Sequence, residues 1–250
     1  CCQNEATIDQ PRSTMPTPSP VGRAELLHAL DAVLQPQLFK DYGPNGLQVE
    51  GRTTVRRLIT GVTASLALID AAIEAGKIGG YGVSEWSAAH IREAHAVHPM
   101  AAVQTEYSLW TRQPEIAVLE TTRELGIAFV AFSPVARGAL GGELGDEPQF
   151  GARDIRAGMP RFSSEHWPAN RALIARFEAL AERNGLAPGQ LALAWVLAQG
   201  PHVHAIPGTT SIAHLEENFA TLSLDIPAAV LDEAGALISQ ETVSGPRYND

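Results

Sequence analysis

Glycine-rich and polar stretches follow the ends of four predicted strands in the second part of the sequence. They read GVSEW at residues 82–86, QTEYSL at 104–109, AFSPVARG at 131–138 and IPGTT at 206–210. In a parallel α/β architecture the carboxyl ends of neighbouring strands lie at one edge, and ligand-binding residues collect in the loops that follow them. The four stretches are therefore predicted to meet at a common cleft.

The elements that would position these stretches alternate between strand and helix. Hydrophobic runs and turn signals predict strands at residues 55–62, 78–83, 101–105, 127–132 and 203–206. Helical periodicity predicts helices at residues 24–34, 66–75, 87–97, 114–125, 170–183, 188–198, 212–220 and 227–238. This alternation predicts an α/β fold with a parallel sheet. About five strands are fewer than the eight that close a (β/α)₈ barrel.

Composition and charge exclude several classes of function. The chain has 28 acidic and 18 basic side chains, a net charge of -10, which argues against nucleic acid or an anionic membrane as a partner. No run of about 18 apolar residues is present, so no membrane span is predicted. The only cysteines are Cys1 and Cys2, and no Cys/His spacing suggests a metal site. We expect a cytoplasmic protein whose residues 1–21 form a disordered, proline-broken tail.

The strand-end stretches, taken in order, resemble a known enzyme family. GKIGGYGVSEWS, VQTEYSLW, AFSPVARGALGG and AIPGTTSIAHLEENFATL are similar to the last four β/α units of aldo-keto reductases. The resemblance covers residues 77–250 and implies an incomplete (β/α)₈ TIM-type barrel with those four units present. It also implies a nicotinamide cofactor, NADP or alternatively NAD, and a small carbonyl substrate.

The resemblance assigns each cofactor-binding position a role. Ser84 and Gln104 would hydrogen-bond the nicotinamide carboxamide, beside Glu85, and Phe132 would stack on the nicotinamide ring. The pyrophosphate and adenosine would be held by the remaining positions: Ser133, Pro134, Val135, Arg137, Gly208, Thr209, Thr210, His214, Glu217 and Asn218. Gly208 to Thr210 open a helix, whose free N–H groups suit phosphate oxygens. Where NADP-selective relatives carry Lys or Arg, His214 is the only candidate cation, so the choice between NADP and NAD stays open.

The front of the chain resembles a different family. The stretch DYGPNGLQVEGRTTVRRLITGVTASLALIDAAIEAG, within a match over residues 23–76, is similar to the beginning of the GTP cyclohydrolase 1 type 2 homologue family. That family binds two metal ions, but its paired histidines do not follow Gly76 here, so no metal site is predicted. We therefore divide the chain into a tail at 1–21, a fragment of this second family at 22–76 and an aldo-keto reductase half-barrel at 77–250.

The resemblance predicts no catalytic residue in this chain. Aldo-keto reductases protonate the carbonyl with a Tyr that Lys, Asp and His assist, all from the first four strands. Tyr42 lacks the corresponding Asp, because Gln37 stands there, and Tyr107 has no Lys partner and is expected to pack beside the barrel mouth. The sequence therefore predicts an NAD(P)-dependent oxidoreductase of aldehydes or ketones with impaired catalysis. One alternative function is that of a non-catalytic fragment that binds the cofactor weakly or needs a partner. The least favoured alternative is a metal-dependent hydrolase. The sequence does not predict the oligomeric state.

Overall fold

The computed structural model describes residues 19–38, 52–55, 66–151 and 153–249. Contacts divide the chain into two compact units, residues 1–77 and residues 78–250. The predicted tail up to residue 18, the turn containing Tyr42 and most of the predicted strand at 55–62 lie outside the described residues.

The described residues of the first unit form two very short strands, two α-helices and a 3₁₀ turn (Pro36–Leu38). Strand β1 (Val21–Gly22) pairs antiparallel with β2 (Thr54–Val55), and helix α1 (Arg23–Leu34) follows β1 directly. Helix α2 spans Leu66–Glu74 and is followed by Gly76 at φ 61°, a left-handed conformation that suits glycine after a helix. Although α1 has the predicted apolar periodicity, none of its residues is buried.

The second unit contains a four-stranded parallel sheet in which strand order follows chain order. The strands are β3 (Gly82–Ser84), β4 (Ala102–Glu106), β5 (Ala128–Phe132) and β6 (Val203–Ile206). The helices are α3 (Ala88–Val97), α4 (Val118–Glu124), α5 (Trp167–Arg183), α6 (Pro188–Leu197), α7 (Ile212–Ala220) and α8 (Ala228–Leu237). The predicted α/β fold with a parallel sheet is confirmed.

Among the predicted elements that differ from the observed ones are a strand and a helix. The strand predicted at 78–83 is reduced to Gly82–Ser84, because Gly79 and Gly80 near its start have no side chain to pack on a sheet. The helix predicted at 114–125 is a 3₁₀ turn (Gln113–Ile116) followed by α4, since Ala117 between them has φ -158°, outside the helical region.

The core of the second unit packs helices against the two later strands. Phe129 and Ala131 of β5 are fully buried, and they belong to one cluster with Phe177 of α5 and Leu191 of α6. Alternate residues of β5 face this core, as the pleat of a strand requires. This packing fixes the end of β5 and therefore the starting point of the loop that follows it.

Candidate functional site

A large cavity lies where β5 and β6 end. Its volume is about 860 Å³, and we call it the β5–β6 cavity. Its walls come from the loop after β5, the loop between β6 and α7, the first turns of α7 and the 154–156 segment of the long loop before α5. A volume of this size lies in the range of small-molecule and cofactor sites.

All the predicted cofactor-binding residues except Ser84, Glu85 and Gln104 line this cavity. They are Phe132, Ser133, Pro134, Val135, Arg137, Gly208, Thr209, Thr210, His214, Glu217 and Asn218. Residues that are more than eighty positions apart in the sequence thus form one wall. Ser84 and Gln104 are neighbours in the β3–β4 register at the same edge of the sheet, but they are not among the residues that line the cavity.

The loop after β5 is held in an unusual backbone conformation. Ser133, Ala136 and Arg137 have φ values of 51°, 54° and 55°, which residues other than glycine seldom adopt. Two backbone hydrogen bonds, from Ala136 to the Ser133 carbonyl at 2.9 Å and from Gly138 to the Val135 carbonyl at 3.1 Å, keep the loop compact. Such strain at a ligand-sized cavity is typical of residues that the fold holds in place for binding.

The amino terminus of α7 forms another part of the cavity wall. Ser211 caps the helix, its hydroxyl accepting a hydrogen bond from the His214 N–H at 3.4 Å. The Ser211 N–H donates in turn to the Thr209 hydroxyl at 3.0 Å. Thr209, Thr210 and Ser211 line the cavity at this end of the helix. The free N–H groups and the positive dipole end of a helix amino terminus favour an anionic ligand.

Several charged side chains of the cavity are paired. Arg156 donates to the Asp154 carboxylate at 2.7 Å, and the Nε2 atom of His214 lies 3.1 Å from the Glu143 carboxylate. The Arg156 guanidinium holds the pKa of Asp154 below its usual value, mainly through their side-chain hydrogen bond. Arg137 donates to the carboxylate of Glu106 at 2.8 Å.

Glu85 and Glu106 take part in a charged cluster at the carboxyl end of β4. Arg247 donates to Glu85 at 2.7 Å and to Glu106 at 2.8 Å, and Glu85 also accepts the Glu106 backbone N–H at 2.9 Å. Burial by itself lowers the pKa of Arg247, but hydrogen bonds and charge from Glu85 and Glu106 outweigh it and raise the pKa. The geometry thus gives Glu85 an ion pair with Arg247, rather than a position in the wall of the cavity.

Tyr107, expected from the sequence to pack beside the barrel mouth, lies in the core. It is fully buried, and its hydroxyl donates to Glu115 Oε1 at 2.8 Å. Burial, and then the charge and hydrogen bond of Glu115, raise the pKa of Tyr107, and the charge of Arg112 only partly opposes them. A phenol that is buried and already donating to a carboxylate is poorly placed to give its proton to a substrate.

Several residues of the cavity wall carried no signal in the sequence. Glu143, Asp154, Ile155 and Gly189 line it but belong to none of the strand-end motifs. Most of them lie in the long loop between β5 and α5, where no periodicity exists to reveal which side chains face inward. Arg156 of the same long loop also lines the cavity.

Metal-binding clusters and membrane-spanning helices are both absent from the part of the chain that the structure describes. It contains no group of three or more His, Cys, Asp or Glu side chains placed to hold a metal ion. Within the same residues, no helix is long and apolar enough to cross a bilayer.

Comparison with known proteins identifies the family. The aldo/keto reductase family model matches residues 27–238, beginning ahead of Lys77. The chain is 40% identical over 178 residues to aldo-keto reductase str7 of Strobilurus tenacellus, a match that covers 70% of this chain and 53% of that protein. It is 41% identical over 179 residues to yakc of Schizosaccharomyces pombe, an aldo-keto reductase whose name specifies NADP(+), with 70% of this chain and 53% of that protein covered.

A solved structure shares the fold. A glycerol dehydrogenase from Gluconobacter oxydans superposes with a TM-score of 0.65 at 24% identity, covering 73% of this chain and 55% of its own. The chain spans about half the length of the curated relatives it matches. The resemblance of residues 23–76 to the GTP cyclohydrolase 1 type 2 homologue family has no counterpart in these matches and stays a prediction. The family match and the ordered strand-end motifs agree, and the chain belongs to the aldo/keto reductase family.

Proposed function

We propose that residues 78–249 form the cofactor-binding part of an NAD(P)-dependent aldo-keto reductase that acts on small aldehydes or ketones. The observation that carries the proposal is the convergence of eleven of the fourteen predicted positions on the 860 Å³ β5–β6 cavity. When bound, the nicotinamide cofactor would supply the hydride. The protein residues would hold and orient it.

The residues present suit a dinucleotide in three respects. Phe132 offers an aromatic face at one wall, and an apolar ring suffices for stacking on a nicotinamide. The first turn of α7 offers backbone N–H groups for phosphate oxygens. Arg137 adds a guanidinium, of which the buried Nε has no hydrogen-bond partner among the described residues.

We further propose that the sheet of four strands is part of a barrel, and that this chain by itself reduces carbonyls slowly or not at all. Lys40 and Lys77 are the only lysines of the sequence, so none lies in the unit that contains the cavity. Tyr107 is buried and engaged with Glu115. A positioned general acid contributes about 10²–10⁴-fold to the rate, so its loss is a large one.

The alternative, a fragment that binds the cofactor weakly or needs a partner, is favoured by the apolar face of α7. Ile212 is 76% exposed, Phe219 65% and, just beyond the helix, Leu222 69%. Exposed apolar side chains grouped on one helix are typical of a surface that another segment or subunit covers. The third candidate, a metal-dependent hydrolase, has no such observation in its favour.

The binding proposal is tested by titrating the purified protein with NADPH and with NADH and following the fluorescence of the reduced nicotinamide. Phe132→Ala is expected to weaken binding of both about tenfold, which corresponds to about 1.4 kcal/mol, the upper end of an aromatic stacking interaction. The control is Arg183→Gln, a substitution away from the cavity, since Arg183 is half exposed and pairs with Glu233. Absence of binding by the unaltered protein, or equal affinity of Phe132→Ala, would refute the proposal.

The activity proposal needs a separate assay. NADPH oxidation in the presence of a simple aldehyde should stay at the background rate while the cofactor still binds. Turnover at a rate ordinary for this class of enzyme would show that a proton donor is present in the chain after all.

A further inference from the structure

The carboxylate of Glu106 is shared by two arginines. Glu106 is only 3% exposed, and its Oε2 accepts a hydrogen bond from Arg137 Nη2 at 2.8 Å. The same oxygen accepts two more from Arg247, from Nη2 at 2.8 Å and from Nε at 3.0 Å. Arg247 therefore holds Glu106 by two points, and Arg137 holds it by one.

Arg247 lies in a segment, residues 244–249, that is hydrogen-bonded to the rest of the unit at both ends. Asn170, which is fully buried, accepts the Ser244 N–H at 2.8 Å and donates to the Ser244 carbonyl at 2.9 Å. Asn249 donates to the Gly158 carbonyl at 2.8 Å on the other side of Arg247. Contacts on both sides of Arg247 fix the direction from which its guanidinium reaches Glu106.

The protein partners of Arg137 use only part of its guanidinium. Its Nη2 is used by Glu106 and by the hydroxyl of Tyr248, which accepts at 2.9 Å. Its Nη1 makes no hydrogen bond to any residue that the structure describes, and Arg137 lines the β5–β6 cavity. An isolated Arg–carboxylate pair prefers the two-point fork, in which a second N–H group of Arg137 beside Nη2 would turn towards Glu106.

From this geometry we propose that Arg247 is a positioning residue for binding of the cofactor pyrophosphate. By occupying Glu106, it keeps Arg137 in the one-point orientation that leaves Nη1 for an anion in the cavity. The inference rests on the proposed function, because it takes the cavity to hold a dinucleotide. It assigns to a segment more than a hundred residues further along the chain a part in the binding of phosphate at the loop after β5.

The test is a double-mutant cycle of Arg137→Gln and Arg247→Gln, with inorganic pyrophosphate titrated calorimetrically and NADPH titrated by fluorescence. Each single variant is expected to weaken pyrophosphate binding about tenfold. When Arg137→Gln is already present, adding Arg247→Gln should weaken binding by less than about a further twofold, because the two residues act through one shared contact and their effects are coupled. The logarithm of pyrophosphate affinity should also fall less steeply with salt in both variants, since one charged contact has been lost. Independent, multiplicative losses would overturn the proposal.

Two further measurements separate positioning from a merely structural role. Arg247→Lys keeps the charge but cannot form the two-point contact, so we expect weakened pyrophosphate binding with the unfolding transition close to that of the unaltered protein. If Arg247→Lys binds pyrophosphate normally, the two-point contact is irrelevant and the proposal is wrong. Pyrophosphate binding with the expected coupling but no NADPH binding would instead refute the proposed function and leave the role of Arg247 standing.

Discussion

Replacing Tyr107 by phenylalanine tests whether the Tyr107 hydroxyl makes a structural hydrogen bond in the core or acts in catalysis. The change removes the oxygen that lies 2.8 Å from Glu115 Oε1 and keeps the ring that packs against Phe129 and Trp195 at centroid distances of 5.7 and 5.5 Å. A hydrogen bond to a charged group contributes about 1.5–3 kcal/mol to stability. Glu115 keeps Arg112 as a donor at 2.7 Å, so its carboxylate is not left unpaired. We therefore expect Tyr107→Phe to lower the free energy of unfolding by about 1.5–2 kcal/mol, at the lower end of that range.

Urea denaturation followed by circular dichroism measures this effect. The midpoint should fall while the slope stays constant, because the surface exposed on unfolding hardly changes. Tyr107→Leu is the comparison variant that also loses the ring, and it should be clearly less stable than Tyr107→Phe since it leaves a cavity in the core. Unchanged stability in Tyr107→Phe together with loss of a measurable carbonyl turnover would refute the reasoning, because the hydroxyl would then act on substrate.

The raised pKa of Tyr107 adds a pH dependence to the same pair of proteins. A folded-state pKa above the unfolded value gives a stability contribution that is fully present below the unfolded pKa and is lost as pH rises above it. The unfolded tyrosine ionises near pH 10. The stability difference between the unaltered protein and Tyr107→Phe should therefore shrink above about pH 10, and a constant difference to pH 11 would contradict the assignment.

Two more changes test the segment and the cavity described above. Asn170→Ala removes a fully buried amide that makes two hydrogen bonds with Ser244 and donates to the Arg161 carbonyl at 3.0 Å. We expect the free energy of unfolding, measured by urea denaturation, to fall by about 2–4 kcal/mol. A fall of less than about 0.5 kcal/mol would show that Asn170 does not hold residues 244–249 in place. Glu143→Gln removes the carboxylate 3.1 Å from His214 in the cavity wall and should improve NADPH binding relative to NADH by about threefold, a modest effect because Glu143 is largely exposed. An unchanged ratio of the two dissociation constants would mean that Glu143 does not face the additional phosphate of NADPH.

Local signals in the sequence were sufficient for most elements of the second unit. The prediction of β6 at 203–206 and of α7 at 212–220 matches the observed ranges. The helix predicted at 87–97 is α3, and Ser87 caps it, its hydroxyl accepting the His90 N–H. These elements are readable because capping and periodicity act over a few residues and leave their pattern in neighbouring positions.

The charged cluster could not be read from the sequence in the same way. Glu106 follows a strand and Arg247 lies far along the chain in a segment without periodicity, so nothing local links them. Sequence reasoning placed Glu85 beside Ser84 as a cofactor contact, whereas the structure pairs it with Arg247. Which charges pair depends on the path of residues 244–249 over the end of the sheet, and that path is set by contacts such as those of Asn170.

The sequence by itself determined the alternation of strand and helix, the family resemblance and the residues that would cradle a dinucleotide, because each depends on residue types in short, ordered motifs. Only the tertiary structure decided that the loop after β5 and the loop after β6 enclose one cavity of about 860 Å³ while Ser84 and Gln104 remain outside its walls. It also decided that Arg137 reaches that cavity while bound to a carboxylate shared with Arg247. The physical reason is that cavity walls and buried ion pairs join residues distant in the chain, whose approach depends on how helices pack on the sheet.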